Sequence, residues 1–282
     1  MGELREKFRQ HMVLRGLAKK TMEGYEHAMV DLVRAYGKSP DTLTNNEIQQ
    51  HLGYLVGNRK LEWNTINVYF SAYRCFFQKV LGWTDARFSI PKRGRSRKRP
   101  LVLDRDTVRR ILDAPRSLKH RAMLTLVYGS GLRVSEVVTL KPHHIESAPD
   151  RMMVRVEQAK CRKDRYTILS QQSLDLLRAY WRKYRPDEWL FPGFGCAGHM
   201  AKGSAQRVYY MACEEAGVKN VHGIHGLRHA FATHLLEQGT DLLVIKRCLG
   251  HSSLSTTAQY CHLSADHLRQ VRSPADTLYQ AP

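Results

Sequence analysis

The sequence is short of acid. Its 282 residues carry 45 Lys and Arg against 26 Asp and Glu, a formal net charge of +19. Such an excess of cation suits a polyanionic partner, DNA or RNA before a membrane. A basic protein with a merely solvated face is the plain alternative that charge alone leaves open. Cysteine is sparse and unpatterned. Cys75, Cys161, Cys196, Cys213, Cys248 and Cys261 are scattered, and none stands in a C-x-x-C pair. The first ten residues, MGELREKFRQ, lack an apolar signal core, so no secretory leader is expected and reduced thiols in the cytosol fit best. No run approaches the ~18 apolar residues of a membrane span. There is no internal repeat. What is present is a 43% hydrophobic content, enough for one large domain or two ordinary ones.

The first 90 residues read as helices. Apolar positions recur at helical spacing over 3–16, over Lys20–Tyr36 and over Thr65–Leu81, and a further helix is expected from Glu47 to Val56 with Asn45 or Asn46 as its cap. Four short amphipathic helices make a compact bundle. The aromatic positions of the fourth, Tyr69, Tyr73, Phe76 and Phe77, read as core rather than as platforms for stacked bases. Residues 91–100, PKRGRSRKRP, place two prolines around Lys92, Arg93, Arg95, Arg97, Lys98 and Arg99. No packed element looks like this, so it marks a boundary. It is a solvated tether or a strap along phosphates, whose affinity would come from released counterions.

After the boundary the pattern restarts over 101–282. Helices are expected from a cap at Asp104 or Asp106 to Leu112, and over His120–Tyr128, Val134–Leu140, Ser173–Tyr184, Ser204–Ala216, Leu227–Glu237 and Leu242–Leu249; Ser255–Cys261 is helical or extended. Met152–Glu157 and Arg165–Leu169 form a hairpin around 159–164. The fold class is therefore mainly α, a small bundle followed by a mostly helical domain with a small antiparallel sheet.

The stretch 222–260 concentrates the chemistry. His225 and Arg228 stand at i and i+3 on one face of a helix start, where free amides already favour an anion. Arginine keeps its proton and grips phosphate oxygens with parallel donors. Histidine exchanges protons near neutral pH. His229 reads as a packing or hydrogen-bonding residue. His251 follows a Gly250 helix stop, and Tyr260 follows a Ser/Thr-rich segment; tyrosine can be a covalent nucleophile. Upstream, Glu136 stands one turn after Arg133, placed to hold its guanidinium. A metal site formed by His222, His225, His229 and His234 is the competing reading, but Arg228 in their midst would repel a dication.

Taken together, GLRVSE at 131–136, a Lys-bearing hairpin, HGLRHAFATHLLEQG at 225–239 and LGHSSLSTTAQY at 249–260 resemble the signature of the tyrosine recombinase (phage integrase) family. The likeness covers essentially the whole chain and is strongest from Gly131 to His262. It implies that 1–90 is a SAM-like core-binding domain and 101–282 a catalytic domain; the basic linker at 91–100 between them is expected, from its charge, to contact DNA. The likeness further implies that Tyr260 attacks the scissile phosphate, giving a 3′-phosphotyrosine and a free 5′-hydroxyl. Arg133 and Arg228 would clamp the non-bridging oxygens. His225 would act in proton transfer as the base helping Tyr260, and His251 would donate a hydrogen bond to the phosphate. Lys160 would protonate the leaving 5′-oxygen, and Glu136 would play the supporting acidic role. The hairpin departs from the family's usual Gly-Lys-Gly-x-Lys. Here it reads Ala159-Lys160-Cys161-Arg162-Lys163, so Lys163 is the alternative acid.

No metal, ATP or other cofactor is implied. The expected partners are duplex DNA with a specific core site and further copies of the chain, a tetramer on two sites passing through a Holliday junction. The tail 264–282 would dock on a neighbouring protomer. The expected setting is the cytoplasm, on the nucleoid, without a membrane. The chain lacks an arm-binding extension and room for an integron-type insertion, and looks Xer-like or transposon-encoded. Two rivals remain: a DNA-binding protein of this fold without catalysis, and a metal-dependent nuclease using the histidines.

Overall fold

A computed structural model describes residues 2–90, 102–159, 163–196, 198–219, 223–258 and 260; the side chains of residues 158, 159, 163 and 196 are not among what it describes. The basic segment 91–100, Lys160, His222 and the tail 264–282 therefore lie outside the described residues. The chain divides into two compact units, 1–98 and 99–282.

The first unit is built from α1 (Gly2–Leu14), α2 (Lys19–Tyr36), α3 (Asn45–Gly57) and α4 (Trp63–Arg74). The cap of α3 is Thr44, not either asparagine. Its hydroxyl accepts from the Glu47 amide at 3.3 Å while the Glu47 carboxylate takes the Thr44 amide at 2.8 Å, a capping box. Asn45 is drawn elsewhere, donating to the Asp85 carbonyl and accepting from the Arg87 amide. α4 runs into a π-helical turn, Cys75–Val80. Cys75, Phe76 and Phe77 are all buried there, three residues in a row, more than one stripe of a 3.6-residue helix presents. Phe76 packs edge-on against Phe8 and Phe77 against Trp83. Tyr69 and Tyr73 are core residues as expected, while Val68 faces outward.

The second unit centres on α6 (Leu118–Ser130), buried from Ala122 to Val127. Around it lie α5 (Arg105–Asp113), α7 (Val134–Val138), α8 (Gln171–Tyr184), α9 (Lys202–Glu215), α10 (His225–Glu237), α11 (Leu242–Leu249) and α12 (Leu254–Ala258). Several begin earlier than their apolar pattern because caps precede it. Asp104 caps α5, and Ser170 caps α8. The hairpin is β2 (Met153–Ala159) against β3 (Lys163–Ile168), and a two-residue strand, β1 (Ile145–Glu146), adds to the β2 edge; all pairs are antiparallel. No helix among the described residues is long and apolar enough to cross a membrane.

Candidate active site

The site forms where the turn after α6, the helix α10, the strand β3 and the end of α11 converge. α10 is buried on nearly every side, including Arg228, which is 4% exposed. A buried guanidinium must spend its donors on the protein. Arg228 donates one Nη to the Gly131 carbonyl and the other to the Leu249 carbonyl, each at 2.6 Å. Gly131 terminates α6 at φ +61°, and a β-carbon there would collide with the Phe231 ring, so only glycine brings that carbonyl so close.

Arg133, at the start of α7, gives Nη1 to Glu136 Oε1 at 2.6 Å and its backbone amide to Oε2 at 2.8 Å. Its Nη2 donates to the Gly250 carbonyl at 3.4 Å. This Arg133–Glu136 pair is no surface salt bridge, because Glu136 is only 8% exposed. A third arginine, which sequence reasoning did not single out, completes the cluster. Arg165 of β3 donates both Nη groups to the two Glu136 oxygens, at 2.7 and 2.8 Å, and Nε to the Cys248 carbonyl at 3.0 Å. The signal for it was the strand's alternation. Tyr166 and Ile168 are exposed while Thr167 and Leu169 are buried, and Arg165 shares the buried face with them opposite Val156.

The last carbonyls of a helix lack intrahelical partners and carry its negative end. At α11, three successive ones are each taken by a different arginine: Cys248 by Arg165, Leu249 by Arg228 and Gly250 by Arg133. Glu136 touches all three guanidiniums, with Arg228 at 3.7 Å. One carboxylate among three guanidiniums leaves two positive charges uncompensated. Burial alone would raise the Glu136 pKa, but the bonds from Arg165, then those from Arg133, hold it at about 2. Burial, then Arg133 and Arg165, press Arg228 down to about 9, still charged at pH 7.

The histidines ring this cluster. His225 opens α10 on an exposed position; desolvation on its protein side, then Arg228 and Arg133, lower its pKa. His251, directly after the α11 stop, shares a hydrogen bond between Nδ1 and Thr257 Oγ1 at 2.9 Å. Burial, then Arg228, Arg133 and Arg165, bring its pKa to about 4. Tyr260 is 1% exposed and packs with Phe231, Ile245 and Leu249. The imidazole on its hydroxyl is that of His229, with Nδ1 2.9 Å from Tyr260 Oη. This is the histidine one turn beyond His225, the residue to which the family resemblance gave that place.

Among the described residues the grouping of metal-ligating side chains is His143, His144 and Glu157, away from this cluster. His144 Nδ1 accepts the Lys141 amide at 3.1 Å, which leaves the proton on Nε2 facing Glu157 at 3.4 Å. A protonated ring nitrogen is a donor, not a ligand.

The chain is similar to known proteins along nearly its whole length. Residues 101–267 match the phage integrase family and residues 4–85 the phage integrase N-terminal SAM-like domain. The chain is 32% identical to the tyrosine recombinase XerD of Caulobacter vibrioides over 92% of its length and 91% of that protein. It is also 32% identical to the tyrosine recombinase XerA of Thermococcus kodakarensis, over 97% of its length and 95% of that protein. The fold is that of the XerH site-specific recombinase in its post-cleavage complex with the palindromic difH substrate, with a TM-score of 0.73 at 18% identity over 91% of this chain and 80% of that one. A buried arginine cluster with surplus charge beside a tyrosine, on this fold and with these relatives, places the chain in the phage integrase family, as a site-specific recombinase of the tyrosine class.

Proposed function

We propose that the protein cleaves and rejoins duplex DNA at a specific site through a covalent 3′-phosphotyrosine on Tyr260, with neither metal nor ATP. The observation that carries this reading is the uncompensated charge of the Arg133–Arg165–Arg228 cluster, set around Glu136. A scissile phosphate is the anion it suits. Arg133 and Arg228 each commit two of five guanidinium donors to the protein, which leaves donors for the non-bridging oxygens and for charge that grows in the transition state. His225 and His251 border the same space and add donors to the phosphate.

In the step itself, Tyr260 Oη bonds to phosphorus as the bond to the 5′-oxygen breaks. The phenolic proton passes to His229 Nδ1, which already lies 2.9 Å away. Lys160, or Lys163 in its place, supplies the proton to the leaving 5′-oxygen. The phosphotyrosine keeps the energy of the broken bond, so a 5′-hydroxyl can rejoin the strand by the reverse path.

The N-terminal unit has a groove of about 360 Å³, lined by Arg15, Asn67, Ser71, Arg74, Gln78 and Lys79 together with Tyr25, Phe70 and Cys75, and this groove is the proposed DNA-facing side. From Asn67 to Gln78 the polar residues recur at helical spacing, and they are types that hydrogen-bond to base edges and phosphates. The basic segment 91–100 adds phosphate contacts. Four copies on two sites, acting on the nucleoid in the cytoplasm, complete the exchange through a Holliday junction, with each 264–282 tail docked on a neighbour.

The test uses a duplex recovered from a random-sequence library by binding to the protein, then nicked so that the freed strand end diffuses away. Wild type traps a covalent protein–DNA complex in the presence of EDTA, and Tyr260→Phe does not. A complex trapped by Tyr260→Phe would remove Tyr260 as nucleophile. Binding without any complex would favour a non-catalytic DNA-binding protein, and cleavage lost with EDTA would favour a metal-dependent nuclease.

A further inference from the structure

Arg165 has no part in the step above, yet its side chain makes more of the cluster's hydrogen bonds than Arg133 or Arg228 does. The protein is shaped around it. Its side chain is 9% exposed. Gly250, at φ +61°, gives it room, since a β-carbon there would stand 2.6 Å from Arg165 Cδ. Both Nη groups meet both Glu136 oxygens, the fork-to-fork geometry that fixes direction as well as distance. Its Nε ties the end of α11 to β3, the strand that begins at Lys163.

We infer that Arg165 is a positioning residue for strand transfer: by occupying Glu136 it keeps the charge of Arg133 and Arg228 free for the scissile phosphate. The inference rests on the reading of those two arginines as the phosphate clamp. Remove Arg165, and the nearest cations to the carboxylate are Arg133 at 2.6 Å and Arg228 at 3.7 Å. Glu136 would then neutralise the clamp and set a negative charge beside the phosphate, where like charges repel. Only a cation that meets the carboxylate without reaching the substrate avoids this, and Arg165 spends three donors on the protein to stay there. The argument differs from bracing alone, because it assigns the harm to the freed carboxylate.

The experiment compares wild type, Arg165→Met, Glu136→Gln and the Arg165→Met/Glu136→Gln double variant on the nicked duplex. It reads the single-turnover rate of covalent complex formation at saturating protein, DNA affinity at the same salt, and the melting temperature. Arg165→Met is expected to slow complex formation about 100-fold, the size of losing one preorganised charge contact, with DNA affinity little changed. The double variant is expected to regain about ten-fold of that rate, because the unpaired carboxylate is gone. A double variant as slow as Arg165→Met, or slower, overturns the inference and leaves a structural brace. If Arg165→Met fails to fold, Arg165→Lys, which keeps the charge but not the fork, replaces it. A wild-type rate for Arg165→Lys/Glu136→Gln together with a slow Arg165→Lys supports the inference, and no gain from Glu136→Gln overturns it. Failure of the parent reading looks different, since Arg228→Ala would then form the covalent complex at the wild-type rate.

Discussion

In the N-terminal unit, the Asp31 carboxylate accepts from one guanidinium, Arg59 at 2.6 Å, and from one hydroxyl, Tyr69 at 2.9 Å. Beside it Tyr73 Oη meets His51 Nδ1 at 3.0 Å. Charge is matched one to one and the remaining groups are neutral. In the C-terminal unit, Glu136 serves Arg133, Arg165 and Arg228 together. The surplus cations are held by backbone carbonyls at Gly131, Cys248, Leu249 and Gly250. A carbonyl restrains a guanidinium through a partial charge without cancelling it. The Asp31 network balances its charges; the Glu136 network holds its surplus cations with backbone dipoles, which leaves their charge available.

The sharpest way to break that contrast is Arg228→Ala. It removes a clamp donor, so complex formation on the nicked duplex should fall by about 10²–10³. It also strands the Gly131 and Leu249 carbonyls, each unpaired group costing about 1–3 kcal/mol. Lower melting temperature and lower rate should therefore appear together. A variant that melts lower yet cleaves normally would make Arg228 a structural clip.

Much of this was legible before any coordinates. Arg133, Glu136, Arg228 and His251 stand out because their motifs are local, within one helical turn or at a helix stop. The N-terminal helices show in their 3.6-residue periodicity. What escaped reading is what depends on distant partners. Arg165 meets Glu136 from 29 residues away and Cys248 from 83, and nothing nearby marks it except a cation on the buried side of a strand. His229 could be read as a hydrogen-bonding residue, but its partner Tyr260 lies 31 residues on. The two-residue β1 is too short for any period, and Thr44 outcompeted Asn45 for the α3 cap because Asn45 is committed to the chain near Asp85.

Salt and pH sharpen the comparison further. His51 and His251 both have lowered pKa values, but for different reasons. His51 is depressed first by burial, partly offset by Asp31; His251 by burial and then by three arginines, to about 4 from 6.5. In each case the unfolded ring binds its proton first, so stability is level above about pH 6.5. For His251 it falls as pH drops from there toward 4. Added salt screens the arginines but not burial. Titrating the two ring signals, assigned with His51→Asn and His251→Asn, should show His251 rising with salt while His51 holds. Bound DNA phosphate should raise His251 further. Equal salt shifts in the two rings would mean that the arginine charge does not reach His251.

The smallest effect belongs to Arg59→Ala. Arg59 and Asp31 have side chains 39% and 26% exposed, and solvent-screened pairs of this kind contribute little to stability. Tyr69 still donates to the freed carboxylate, so no buried charge is orphaned. The melting point is expected to fall only slightly, with the rate of complex formation at saturating protein unchanged. The two outcomes separate the networks: where charge is matched, deleting a cation costs a little stability and no chemistry. If Arg59→Ala instead slowed cleavage while leaving the melting point alone, charge balance would no longer tell a structural network from a working one.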